Sequence, residues 1–151
     1  MSVFPARVSQ AVVNELRLDL PEPPSANVMW KKWRNRMVLT PEGKAYKAAV
    51  RAVYYREFRT TKVAFPDGFL ALQMVWTRGR KSGDLDNRLK LCGDSLKGLV
   101  FKDDKQITEI HAYRRDQKGA PGIVVVVSRV AATDPTAPYA AHFKHYTEGE
   151  T

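Results

Sequence analysis

Apolar and polar residues alternate over Leu16-Arg-Leu-Asp-Leu20, the period-two pattern of a short strand with one face buried. Pro21-Glu-Pro-Pro-Ser25 stops that strand and starts an irregular loop through Ala26 and Asn27. Thr40, Pro41 and Glu42 then supply helix-start signals: a capping hydroxyl, a proline suited to the first helical position, and an acid near the positive end of the dipole. Tyr46, Ala49, Val50 and Val53 continue one apolar face, which fades near Phe58. Phe69 to Thr77 (FLALQMVWT) is mostly apolar and reads as a strand covered on both faces. Leu85, Leu89, Cys92, Leu96 and Leu99 step by four, three, four and three, which predicts a second helix with those residues as its buried stripe. Asp86, Lys90, Asp94 and Lys97 fall on its opposite side. Ile107–Arg115 and Gly122–Arg129 make two more strands, and the run Ile123-Val-Val-Val-Val127 suits a central one. The order β, α, β, α, β, β predicts a small α/β (α+β) domain: a mixed sheet of about four strands flanked by two main helices.

At 151 residues the chain is expected to form one domain over residues 16–130, with an N-terminal extension 1–15 and a tail 131–151 rich in Ala, Thr and Pro. No apolar run approaches the roughly 20 residues needed to cross a bilayer, so no membrane partner is expected. Residues 1–15 lack the pattern of a secretory signal, which makes a cytoplasmic location the expectation. The single Cys92 excludes an intrachain disulfide and a cysteine zinc site; as part of the apolar stripe it reads as core.

Charge changes the picture. The chain carries +9, and Val28 to Lys62 holds ten Lys/Arg against Glu42 and Glu57, a net of +8 in one segment. Lys31, Lys32, Arg34 and Arg36 lead that segment, and Arg78, Arg80 and Lys81 form a second basic group. Trp30, Trp33, Tyr46, Tyr54 and Tyr55 are interleaved with the first set, a mixture that suits a phosphate backbone with bases to stack upon. A solvated helix face with aromatics in the core has the same composition.

Within this basic chain lie Asp84, Asp86, Asp103 and Asp104. Acidic clusters oppose polyanion binding unless a divalent cation sits between carboxylate and phosphate. In an extended approach residues i and i+2 point to one side, so Asp84 and Asp86 can reach one hard cation. Asp103 and Asp104 join them only if the Leu99–Lys102 segment folds back along the helix. Lys90, one turn beyond Asp86, is either a surface ion pair or a cation aimed at a scissile phosphate. Asn87 reads as satisfying backbone at the helix start. Asp-rich loops also cap helices and make turns, and the spacing alone leaves both readings open. His111, His142 and His145 fit no metal or triad motif, and no phosphate-binding glycine loop is present.

Two blocks resemble the RusA family of Holliday-junction resolvases. LPEPPSAN at 20–27 with TPEGKAYKAAV at 40–50 is similar to the family's Pro-Pro-Ser-x-Asn loop and first helix. DLDNRLKLCGDSLKGLVFKDDKQI at 84–107 is similar to its Asp-x-Asp-Asn-x-x-Lys helix and closing Asp-Asp. The resemblance implies a homodimeric, Mg²⁺-dependent endonuclease (Mn²⁺ a substitute) that resolves four-way DNA junctions by paired nicks in recombination and repair. It implies Asp84, Asp86 and Asp104 as catalytic metal ligands, with Asp103 a rival for the last, and Lys90 as the essential lysine. A non-catalytic basic nucleic-acid-binding protein, or a nuclease for flaps and forks, is the competing reading.

Overall fold

A computed structural model describes residues 14–79, 82–117, 119–130 and 136. The expected N-terminal extension, the tail with its two histidines, and Arg80 and Lys81 thus lie outside the described residues, Asn14, Glu15 and Thr136 excepted.

Four strands form the main sheet: β1 (Glu15–Leu20), β4 (Leu70–Thr77), β5 (Ile107–Arg115) and β6 (Gly122–Arg129), in the order β1-β6-β4-β5. β6 lies antiparallel to both β1 and β4, whereas β4 and β5 run parallel. The sheet is therefore mixed, as expected. In β1 the alternation is realised directly, with Leu16, Leu18 and Leu20 buried and the residues between them exposed. β4 and β6 are central, which is why their sequences are nearly continuous apolar runs. Phe69 is not part of β4 and is exposed.

A parallel pair needs a crossover connection, and helix α3 (Leu85–Leu96) supplies it between β4 and β5. α3 ends earlier than the stripe to Leu99 predicts, because Lys97 leaves helical geometry and Gly98 takes a left-handed φ of +78°, a turn suited to glycine. Its buried face is also rotated: Arg88, Leu91, Cys92, Ser95 and Leu96 are buried, while Leu85, Leu89 and Leu99 are only partly so. Two polar residues hold stripe positions because each has a partner. Ser95 Oγ donates to the Leu91 carbonyl at 2.8 Å, and the Arg88 guanidinium faces the Trp76 ring at 5.1 Å while donating to the Pro23 carbonyl. Cys92 is core, and burial pushes its thiol up to about 12.

Helix α2 (Pro41–Phe58) begins where Thr40 predicts, with Thr40 Oγ1 accepting from Gly43 N at 3.1 Å. Tyr46, Val50, Tyr54 and Phe58 are its buried face. Between β1 and α2 the chain adds elements that hydrophobic periodicity does not predict. These are a one-turn helix α1 (Ala26–Met29) and a hairpin of β2 (Trp30–Trp33) and β3 (Arg36–Leu39), paired only with each other. No helix among the described residues is long and apolar enough to cross a membrane.

Candidate active site

The approach to α3 fixes two carboxylates. Asp84 is the N-cap residue, with extended backbone (φ −100°, ψ 143°), yet its side chain makes no capping hydrogen bond. Asp86 lies in the first helical turn, and both residues are exposed. The extended approach therefore ends at Asp84, and the two carboxylates leave the chain from different conformations. Both lie at the amino end of α3, the positive end of its dipole.

Lys90 follows one turn later. It makes no ion pair with Asp86, nor a hydrogen bond to any described residue, so the surface-pair alternative is not formed. It opens instead on a cleft of about 430 Å³ that it shares with Asn87 and Asp94 of α3, Ala26 and Asn27 of α1, and Trp30 and Met37 of the hairpin. Asn27 is the last residue of the Pro-Pro-Ser-Ala-Asn run. That run was the available signal for a functional role, and periodicity could not show that it would face Lys90.

Asp103 and Asp104 lie elsewhere. Asp104 opens a 3₁₀ turn (Asp104–Gln106) that leads into β5. Because β4 and β5 are parallel, with Leu70 opposite Ile107 and Thr77 opposite Arg115, this turn lies at the amino end of the pair. Asp84 and Asp86 follow its carboxyl end. Seven residue steps at about 3.3 Å put roughly 23 Å of strand between the two ends. The fold-back that would gather all four carboxylates within one chain does not occur, and no group of three His, Cys, Asp or Glu able to hold a metal exists among the described residues. The crossover helix separates the pairs by construction.

At that second site Asp103 is engaged by its own turn. Its Oδ1 accepts from Lys105 N at 3.0 Å, and Gln106 Oε1 accepts from Asp103 N at 3.0 Å, which completes a capping box. The backbone hydrogen bond from Lys105 is the main cause holding the Asp103 carboxyl below its ordinary range. The Asp104 carboxylate is exposed, lies 3.6 Å from the Lys97 ammonium and also interacts with the Asp103 side chain.

The basic residues divide similarly. Lys31, Lys32, Arg34 and Arg36 are all exposed on the hairpin. Arg78 is taken by Asp116 across the end of β4 and β5: its Nη2 donates to Oδ2 at 2.9 Å, while Nε sits 2.8 Å from Oδ1 but off the hydrogen-bond line. Among the interleaved aromatics Tyr46 and Tyr54 belong to the core, and Trp30 is half-buried beneath the Lys47 ammonium at 5.6 Å. Trp33 and Tyr55 are exposed. His111 is exposed on β5 and pairs with Glu109 at 2.8 Å.

A small mixed-sheet domain thus opens a helix on two exposed acidic side chains, sets a lysine one turn on, and carries four exposed cations on a separate hairpin. The chain matches the family model Endodeoxyribonuclease RusA over residues 21–128, from the proline-rich loop through β6, and belongs to that family. Membership implies endodeoxyribonuclease activity on Holliday junctions. No curated protein matches the chain.

Proposed function

We propose that this protein is a divalent-metal-dependent, dimeric resolvase that cuts four-way DNA junctions by paired nicks, as a step in recombination and repair. The observation that carries the reading is the exposure of Asp84 and Asp86 at the start of α3, with Lys90 one turn on and open to a cleft shared with Asn27, inside the family match. The donors suit Mg²⁺, with Mn²⁺ as a substitute: they are hard carboxylate oxygens, and Asp84 is not spent on its own helix cap. Mg²⁺ is commonly held by one or two carboxylates plus waters and substrate phosphate, so two from one chain are a workable start. Asp84 and Asp86 would hold the cation, which when bound activates water and offsets charge on the phosphate. Lys90 stabilises the negative charge that develops on phosphorus oxygens, and the hairpin cations hold the strand against the cleft.

A third carboxylate has to come from a second copy, since Asp104 lies at the far end of its own sheet. β5 is one of the two edge strands of that sheet, and Ile110 and Tyr113 on it are exposed. Pairing β5 antiparallel with its copy would run the partner strand the opposite way. The partner's Asp104 would then arrive at the carboxyl end of β4, where Asp84 and Asp86 follow. A twofold dimer also offers two equivalent sites to a junction with approximate twofold symmetry, as paired nicking needs.

Incubating the protein with a labelled four-way junction, with Mg²⁺ and with EDTA, tests the reading. Cleavage is expected with Mg²⁺ only, absent in Asp86→Asn, and reduced about a hundredfold in Lys90→Ala. An Asp86→Asn protein that cleaves at the normal rate would show the site to be elsewhere. Junction binding without cleavage in any divalent metal would leave a non-catalytic binder, and flaps or forks cut faster than junctions would reassign the substrate.

A further inference from the structure

We propose that the β2–β3 hairpin is a stacking wedge for branched DNA, with Trp33 capping a base pair that has lost its stacked neighbour at the branch point. The inference rests on the junction-nuclease reading and adds to it the means by which a branch is told from continuous duplex.

The hairpin stands apart from the main sheet. Its base is fastened: Trp30 and Leu39 pack against the core, and Thr40 ties both strands together. Everything from Lys31 to Met37 is exposed, including two large apolar side chains, Trp33 at 51% and Met37 at 60%. Four cations and no acid lie between Lys31 and Arg36. An indole so exposed adds little to the core, and an apolar tip ringed by positive charge is a poor match for water or for most protein surfaces. It is a good match for a base, which presents a flat π-face flanked by phosphates.

The turn strengthens the point. Arg34 takes a left-handed φ of +52°, a conformation usually left to Gly or Asn, and its guanidinium lies over the Trp33 ring at 4.6 Å. The arginine thereby covers one face of the indole with positive charge and leaves the other for a ligand. In intact duplex every interior base pair is stacked on both sides, so the indole finds no free face. At an opened branch point the terminal pair of each arm offers one.

Position agrees with this role. Met37, paired with Lys32 in the hairpin, lines the same cleft as Lys90, and Trp33 is one residue farther out, on the opposite face of the hairpin because strand side chains alternate. A strand whose phosphate lies at Lys90 thus reaches the hairpin tip within a short distance of the cut.

The test uses the full chain in EDTA, so that no cleavage intervenes, with a fluorescent four-way junction carrying thymine at the branch point and a linear duplex of the same sequence. Anisotropy gives both affinities, and permanganate, which attacks only thymines with an open face, reports stacking in the saturated complexes. Wild type is expected to prefer the junction and to protect the branch thymine. Trp33→Ala should lose about tenfold or more in junction affinity, keep its duplex affinity, and leave the thymine reactive, while Trp33→Phe restores most of both. An unchanged junction-to-duplex ratio with full protection in Trp33→Ala overturns the inference. So does an equal loss on both DNAs, which would make the tip a general backbone contact; unaltered binding to either DNA would leave it for an acidic protein surface. In these cases Mg²⁺-dependent junction cleavage by the wild type keeps the resolvase reading standing. A wild type that neither prefers nor cleaves junctions overturns both.

Discussion

Asp84 and Asp103 hold the same local position, the residue before a helical turn, and use it differently. Asp103 accepts the Lys105 N–H and belongs to a capping box; Asp84 caps nothing. A carboxylate engaged by its own backbone must surrender that bond to bind a metal, whereas Asp84 makes no cap bond and Asp104 would give up only exposed side-chain contacts. Asp104→Asn is therefore expected to abolish junction cleavage, and Asp103→Asn to slow it only mildly, since Asn caps nearly as well as Asp; the reverse ranking in a cleavage assay would exchange the two. Asp103 also sets a pH dependence. Its folded pKa lies below the ordinary 3.8, so its contribution is present above that value and is lost as pH falls through the folded pKa. A different residue-scale problem is Arg88, a buried guanidinium whose Nε has no partner and which faces no acid among the described residues. It holds the Pro23 carbonyl and covers Trp76, so it joins the proline-rich loop to the helix that carries the carboxylates. Arg88→Ala should cost about 2–3 kcal/mol in urea unfolding through the cavity and the lost bond. Arg88→Met should cost about 1 kcal/mol or less, because a filled apolar site avoids burying an unpaired charge. Equal losses in the two variants would mean that the charge, and not the packing, is what matters.

At the scale of elements, the helices and the four-stranded sheet were legible because each follows a period. β1 alternates, β4 and β6 are solid apolar runs, and Thr40-Pro41 marks the start of α2 within a residue. The hairpin was not legible: its strands are four residues each, and its inward positions are few beside cations that obey no period. It exists through tertiary attachment. Thr40 N donates to the Met29 carbonyl at 2.8 Å, and its hydroxyl donates to the carbonyls of Val28 and Met29 while accepting from Gly43 N. Gly43 allows this closeness, since a Cβ there would stand 2.7 Å from the Met29 carbonyl oxygen. The buried stripe of α3 was read correctly at Cys92 and Leu96 but rotated, taking Leu85, Leu89 and Leu99 in place of Leu91, Arg88 and Ser95; periodicity counts apolar residues and cannot see the two polar ones that find partners. One substitution therefore probes two elements. Thr40→Ala should cost about 1–2 kcal/mol from the lost cap and also speed hydrogen exchange across the hairpin, while Thr40→Ser retains both. Exchange confined to the first turn of α2 would show that the hairpin is held by other contacts.

For the whole molecule, the parallel β4–α3–β5 crossover bears directly on the proposed dimer. One chain carries Asp84 and Asp86 at one end of the crossover and Asp104 at the other, so a site needing all three has to be shared between two chains. The sequence left this open: the length of α3 sets Asp86 and Asp104 apart unless the Leu99–Lys102 segment folds back, and only the parallel entry of β5 shows that it does not. The arrangement makes a prediction that separates shared sites from self-contained ones. Asp86→Asn and Asp104→Asn proteins should each be inactive alone. Mixed in equal amounts and allowed to exchange subunits, half of the dimers contain one of each. In such a dimer one site carries both lesions, and the other combines the intact Asp86 of one chain with the intact Asp104 of its partner. The mixture should recover Mg²⁺-dependent cleavage at about a quarter of the wild-type number of sites, and its products should be single nicks instead of paired ones. Were each site built from one chain, every site in the mixture would carry a lesion and no cleavage would return. Denaturing and native gels of a labelled junction read both outcomes, and light scattering on the same mixture checks that the chains are dimeric at micromolar concentration.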